Sequence, residues 1–499
     1  MPPIQHVFVL MLENRSFDHM LGFSGLAGTD AATGVPTAIN GQSGETNSWN
    51  GVTYPVSTPA VDPMKADPYH EFTDVLEQLC GHGATYPPGG PYPAMNNSGF
   101  VSNFVTQAIP HQNAAAAPGD VMLCFDPARL PVLTALAQEF AVCDSWFCSL
   151  PGPTWPNRFF ALGGSSADLD HSPTTEDSHL WQTIDGFKFQ NGSIFDRNLN
   201  WRIYAGNKIF TLAHALQGIH IWDIGRYANF AKDVLDPGYP AQFTWIEPNY
   251  GHVLTDYVGG NSQHPLDGVT GGEALIQATY EAIRNSPLWP SSMLIIIWDE
   301  HGGFYDHVAP PAATPPGDTA QFPGVNKEGF VFNQYGPRVP ALIISPLIPR
   351  NVIDHRPYDH TSALATVERL FGLLPLTARD RAALDLSPLA SLAIARGTPA
   401  SVPLPPQVAA FHSQMRLDTL DVPTPPATRE NEDIQDTASL PGFLYVAAKT
   451  DTELKPQELP LEAYAVSVQD RLRSIRTRGE ARDYVEEVRQ KALAAEPGA

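Results

Sequence analysis

Of the 499 residues only four are cysteine, at Cys80, Cys124, Cys143 and Cys148. Four thiols in so long a chain do not make a disulfide scaffold, and no two form a CxxC metal pair. They read as buried core thiols, with one or two disulfides admissible in an exported protein. Cationic residues are also scarce: 30 Lys and Arg face 53 Asp and Glu, a formal net charge of −23. A surface of that sign repels nucleic acid and anionic bilayers, which leaves peripheral membrane contact at most. It still leaves room for a local cationic pocket or a bound metal. No apolar run is long enough to span a bilayer. The start has no basic n-region and no small-residue cleavage site, so a cytoplasmic location is the default and a secreted mature form the alternative. HExxH and P-loop motifs are missing. GGSSA, Gly163–Ala167, comes near the nucleophile elbow G-x-S-x-G. It ends in Ala and follows a helical pattern rather than a strand, which argues against a serine hydrolase.

Other features are plentiful. Hydrophobic residues make up 43% of the chain, enough for a large core, and 48 prolines imply long irregular connections. Five short apolar runs read as strands of a buried, mostly parallel sheet: HVFVLML, FAVCDSWF, AQFTWIEP, SMLIIIWDE and RVPALIISP. Helical patterns lie between them, in LPVLTALAQEF, GGEALIQATYEAIRNSPLW and TSALATVERLFGL, the last with Thr361 or Ser362 as N-cap. Alternating strands and helices predict an α/β fold with helices on both faces. From Phe23 to about Pro118 the chain is rich in Gly, Pro, Ser and Asn, an excursion beside the sheet with one helix near EFTDVLEQL. Another irregular insertion runs from about Ala309 to Gly336. The composition changes near Arg396. Residues 1–396 read as a catalytic domain, and 397–499 as a linker with a C-terminal extension of two charged amphipathic helices.

The chemistry concentrates at strand ends. In SMLIIIWDEHGGFYDHVAPP, Met293–Ile297 and Trp298 lead straight into Asp299 and Glu300. Adjacent carboxylates at the carboxyl end of a buried strand are costly unless paired with a cation. Ligands of open α/β sheets bind at this edge. Gly302 and Gly303 allow a sharp turn there. The first strand has the same design and ends in Glu13 and Asn14. Two such ends side by side would offer four oxygen ligands to a divalent metal. The simpler alternatives are a solvated acidic pair at one end and a turn capped by Asn14, Ser16 and Asp18 at the other. In LPGPTWPNRFFALGG, Thr154 stands at a helix start, where an anion is favoured. It is a nucleophile if its proton is removed, and otherwise a plain cap. His70, His264 and His360 complete the set. Histidines can hold phosphate or protonate a leaving group.

The segments LMLENRSFDHMLG, GPTWPNRFF, IIIWDEHGGFYDHVAPP and RVPALIISP…YDHTSALATVERLFGL, in that order, resemble the phosphoesterase family. That family contains non-haemolytic phospholipases C, plant non-specific phospholipases C and a bacterial acid phosphatase, and its core is similar to alkaline phosphatase. The resemblance runs from about residue 4 to about 390. It implies a divalent metal (Ca, Mg, Mn or Zn) on Glu13, Asn14, Thr154, Asp299 and Glu300, with Thr154 as nucleophile. Asn14, His70, His264 and His360 would bind phosphate, and His360 or His70 would act as acid. Asp306 and His307 would stand behind the ligands. TWPNR also has the shape of the sulfatase signature C-x-P-S-R. Sulfatases oxidise a Cys or Ser there to an aldehyde, and threonine would give a ketone. Position 154 therefore favours phosphoryl transfer. The expected activity is hydrolysis of a phospholipid or soluble phosphate ester. Phospholipase C comes first and a broad phosphomonoesterase second, and a metal- or phosphate-binding protein without turnover is the reading of another class.

Overall fold

His6–Leu12 forms a strand covered on both faces, as its unbroken apolar run requires. It pairs in parallel with Phe243–Glu247 on one side and Ser292–Trp298 on the other. The structure is a computed structural model that describes residues 4–174, 177, 186–253, 257–319, 324–403, 431, 433–434 and 440–495. The three strands belong to a ten-stranded sheet. Its order runs Pro36–Ala38, Ala27–Asp30, Val352–Asp354, Ala141–Cys143, Ala341–Ile344, Ser292–Trp298, His6–Leu12, Phe243–Glu247, Trp201–Ala205, Ile224–Arg226. Ala341–Ile344 runs against both its neighbours and Pro36–Ala38 against its single one. The remaining pairings are parallel. The expected α/β, mostly parallel sheet is therefore present.

All five apolar runs contribute strands to it. FAVCDSWF divides: Ala141–Cys143 stays in the sheet, while Trp146–Phe147 pairs with Tyr358–Asp359 in a separate ribbon. The helical patterns form Pro131–Glu139, Thr270–Arg284 and His360–Phe371. The last starts earlier than its sequence suggests. Asp359, in extended conformation, is its N-cap, rather than Thr361 or Ser362. The Thr361 hydroxyl donates back to the Asp359 carboxylate. All four cysteines are free thiols, three of them buried.

The excursion after Phe23 is more ordered than a loop region. It supplies the two edge strands Ala27–Asp30 and Pro36–Ala38, the hairpin Thr46–Trp49 with Val52–Pro55, and the expected helix, Phe72–Cys80. Its apolar residues Val75, Leu79, Phe100 and Phe104 build a second core with Phe304 and Tyr305 from the strand-end motif. Among the described residues the C-terminal region holds three helices where the sequence suggests two: Leu440–Glu453, Leu461–Ser474 and Arg478–Ala495. Most of the linker-like stretch lies outside the described residues. Leu440–Glu453 joins the main core. Its Phe443 ring lies 5.8 Å from Trp155, 5.5 Å from Phe210 and 5.3 Å from Tyr250. Gly442 is flush with the indole: a Cβ there would sit 2.3 Å from Trp155.

One close approach fixes the two strand ends relative to each other. Gly302 has φ +65°, and a Cβ on it would fall 2.1 Å from the Asn14 carbonyl oxygen. Only glycine meets both demands. Gly302→Ala is expected to cost at least about 1–3 kcal/mol from backbone strain alone. Chemical denaturation of the full chain measures it, and an unchanged midpoint would show that the strand ends are not locked in this way.

Candidate active site

The parallel register pairs Leu12 with Trp298. The next residues, Glu13 and Asp299, therefore leave the sheet side by side, followed by Asn14 and Glu300. Asn14 turns the chain in the left-handed region, φ 56°, which asparagine tolerates better than most residues. Its backbone N–H donates to Asp299 Oδ1 at 3.0 Å. Glu300 N–H donates to the same oxygen at 2.8 Å, and Gly302 N–H to Glu300 Oε2 at 2.7 Å. Glu13, Asn14, Asp299 and Glu300 are all buried.

Facing them is the helix Thr154–Gly163, with Thr154 as its first residue. Asn157 pins the proline-rich approach, donating to the carbonyls of Gly152 at 2.9 Å and Pro153 at 3.0 Å. The Thr154 hydroxyl donates to Asn14 Oδ1 at 3.4 Å. One turn on, Arg158 places Nε 2.9 Å from Asp299 Oδ2 and donates through Nη2 to the Leu12 carbonyl at 3.0 Å. Its guanidinium stacks on the Tyr250 ring at 5.5 Å. Burial works against the Arg158 charge, but Tyr250 and Asp299 outweigh it and hold the proton more tightly than usual. The expected ligand set omits Arg158, although its i, i+4 spacing from Thr154 places both on one helix face.

The histidines occupy different places. His70 enters from the excursion, with Nε2 3.4 Å from Asn14 Nδ2 and 3.7 Å from Glu300 Oε1. Burial would lower its pKa, but Glu300 and Asp67 raise it to about 9. His264 stacks flat on Tyr257, centroids 3.5 Å apart, with Nε2 3.4 Å from Asp67 Oδ2. Asp67 is thus a further site residue, three positions before His70. His360 Nε2 donates to the Asp299 carbonyl at 2.6 Å and its Nδ1 accepts from Trp146 Nε1 at 3.2 Å. Burial holds its pKa down. With both nitrogens engaged, the ring braces the strand end. No local sequence signal marks Trp146.

Asp306 and His307 lie in a neighbouring cluster. With Asp18 they are a group of potential ligand atoms within 4.8 Å of one another. Arg338 already fills it, 2.8 Å from both Asp18 Oδ1 and Asp306 Oδ1. His307 Nδ1 lies 2.7 Å from Asp18 Oδ2. This cluster is an ion-pair network that anchors the turn after Asn14: the Asp18 N–H donates to Asp306 at 3.2 Å.

At the strand ends the charge does not balance. Three buried carboxylates, Glu13, Asp299 and Glu300, face one guanidinium, Arg158, and the imidazole of His70 with its raised pKa, 3.7 Å from Glu300. Burial, then Asp299, pushes Glu13 well above its ordinary pKa, with Arg158 opposing. Burial also raises Asp299 and Glu300. Glu13 Oε2 and Glu300 Oε1 are buried without a hydrogen-bond partner. Open carboxylate oxygens beside an amide and a hydroxyl oxygen suit a hard divalent cation. Arg158 and His70 leave the three carboxylates with an excess of negative charge that such a cation would offset.

A hydroxyl at a helix N-terminus, beside carboxylates that call for a cation at the carboxyl edge of a parallel sheet, suits an anionic ester once that cation is bound. The chain belongs to the phosphoesterase family, whose family model matches residues 4–374, and is a phosphoric-ester hydrolase. It is similar to non-specific phospholipase C6 of Arabidopsis thaliana, 35% identical over a 407-residue alignment that covers 76% of this chain and 70% of that protein. It is also similar to phospholipase C B of Mycobacterium tuberculosis, 29% identical over a 404-residue alignment that covers 74% of each. A solved structure of an alkaline phosphatase superfamily protein from Vibrio parahaemolyticus aligns with TM-score 0.31 and 16% identity over 51% of this chain and 64% of that one. That likeness is too distant to bear on the fold, which rests on the strands themselves. Among the described residues no helix is long and apolar enough to cross a membrane.

The raised carboxylates give the chelated protein a pH dependence of definite sign. At low pH all three are protonated in both states and nothing is lost. As pH rises through their elevated folded values, the folded chain gives up protons it holds more tightly than the unfolded chain does, and stability falls. The thermal midpoint of chelated protein should decline from about pH 5 upward. A divalent cation should restore it, more strongly at higher pH. Glu13→Gln should raise the chelated midpoint and shrink the cation's effect. A flat pH profile with no response to cations would remove the cation site.

Proposed function

We propose that this chain is a phospholipase C that cleaves zwitterionic phosphodiesters of the phosphatidylcholine type through a phosphothreonine on Thr154. The observation that carries this is the Thr154 hydroxyl, first in its helix and 3.4 Å from Asn14 Oδ1, beside the open oxygens of Glu13 and Glu300. Relatives named phospholipase C support the diester. The net charge of −23 disfavours anionic bilayers and leaves a zwitterionic lipid as the better partner.

A divalent cation held by Glu13, Asn14, Thr154, Asp299 and Glu300 would supply the positive charge that eases deprotonation of the hydroxyl and offsets the phosphoryl oxygens. Thr154 Oγ forms a bond to phosphorus as the bond to the glycerol oxygen breaks in line. His70, reached from the excursion and bordering Asn14 and Glu300, protonates the departing diacylglycerol oxygen. His70 and His264 bind the phosphoryl oxygens, and the helix N-terminus favours their charge. Arg158 keeps Asp299 oriented. Water then attacks the phosphothreonine, releasing phosphocholine and restoring the hydroxyl.

The test compares p-nitrophenyl phosphorylcholine with p-nitrophenyl phosphate, with divalent cation present. The diester should be preferred, and a chelator should abolish turnover. Thr154→Ala should lower kcat by about a thousandfold or more with the fold and cation content retained. Preference for the monoester would make the enzyme a phosphatase on the same residues. Undiminished turnover by Thr154→Ala would overturn the nucleophile.

A further inference from the structure

Arg15 directly follows the Glu13–Asn14 pair. It is fully buried, yet its guanidinium makes no ion pair with a carboxylate among the described residues. It reaches for backbone. Nε donates to the Gln263 carbonyl at 2.8 Å and Nη2 to the His264 carbonyl at 3.4 Å. Nη1 lies 3.0 Å from His19 Nε2. Phe304 and Phe125 flank the group at 5.1 Å and 5.7 Å. Burial holds its pKa down to about 10, outweighing Asp62, Asp67 and Asp267, which favour its charge from a distance. An apolar side chain would fill such a space at less cost. The planar fork therefore has a geometric task that a hydrophobe cannot perform.

That task concerns the loop carrying His264. Gln263 sits at φ 71°, a left-handed conformation that a glutamine side chain does not favour. The loop is held there by ties from the two central strand ends. Glu13 N–H donates to the Ser262 carbonyl at 2.9 Å. Trp298 Nε1 donates to Gln263 Oε1 at 2.9 Å. Arg15 takes the next two carbonyls. Space for the tuck comes from Gly272, where a Cβ would lie 2.0 Å from Gln263 Cγ. The same short stretch that presents Glu13 and Asn14 thus also sets the backbone of His264.

We propose that Arg15 is a positioning residue for phosphate binding: its guanidinium fixes the Gln263–His264 backbone, and through it the His264 imidazole, relative to the strand-end carboxylates. This rests on the reading of His264 as a phosphate-binding residue. Arg15 itself touches no substrate. Its effect on phosphate passes through His264.

A double-mutant cycle on the full-length, cation-loaded enzyme tests this, with inorganic phosphate as competitive inhibitor and thermal midpoint and cation content measured alongside. Arg15→Met and His264→Ala should each weaken phosphate inhibition, by about tenfold. The double variant should be no weaker than His264→Ala alone. Arg15→Lys, which keeps the charge and loses the fork, should fall between wild type and Arg15→Met, and it carries the same cycle if Arg15→Met fails to fold. Effects that multiply in the double variant would overturn the proposal, as would unchanged inhibition in the Arg15 variants. If His264→Ala alone leaves inhibition intact, the role given to His264 fails and the proposal falls with it. The Thr154→Ala result stands independently of either outcome.

Discussion

Three carboxylates cannot share a dry sheet edge without positive charge close by. Glu13, Asp299 and Glu300 are carried to one place by the parallel pairing of two central strands, and the pairing leaves them no freedom to swing into water. Desolvation of each ion costs several kcal/mol even after relaxation. Arg158 answers part of that through its contact with Asp299, and His70 part through its approach to Glu300. The rest is left as raised pKa values and unpartnered oxygens. Much of the surrounding architecture can be understood as holding this unfavourable arrangement in place.

Several devices keep it from relaxing. The left-handed turn at Asn14 is closed against Gly302, so neither strand end can slide past the other. His360, anchored by Trp146, grips the Asp299 carbonyl from behind. The Asp18–Asp306–Arg338 network fastens the chain just beyond Asn14. Across the gap, Asn157 fastens the segment before Thr154. Each support comes from a different part of the chain, which matches the need to hold reacting groups to a fraction of an ångström.

The central strands could be read from sequence because burial on both faces demands unbroken apolar runs. Trp201–Ala205, Ile224–Arg226 and Val352–Asp354 could not, because short strands toward the edges need no such run. The meeting of Glu13–Asn14 with Asp299–Glu300 was legible because two strands ended in the same way. Arg158 was within reach of a spacing argument from Thr154 on the same helix, whereas Asp67 lies on irregular chain before His70, where spacing decides nothing. Trp146 was not, since its link to His360 depends on a ribbon formed between distant segments. For His360 the packing adds what the sequence does not show: both ring nitrogens are hydrogen-bonded, to the Asp299 carbonyl and to Trp146. Asp306 and His307 follow the motif closely in sequence, yet Arg338, far along the chain, decides their task.

The contact of Gly442 and Phe443 with Trp155 has a consequence for how the molecule comes into being. Trp155 stands next to Thr154, and its ring is covered by a helix from the other end of the chain. During synthesis, Trp155, Phe210 and Tyr250 emerge long before Phe443. Until that helix arrives, these rings form an aromatic face open to solvent, of the kind that invites off-pathway association. Completion of the packing around the Thr154–Gly163 helix is thus a late, long-range event, slow to close on topological grounds. A growing chain would pass through most of its length with that helix lacking its aromatic cover.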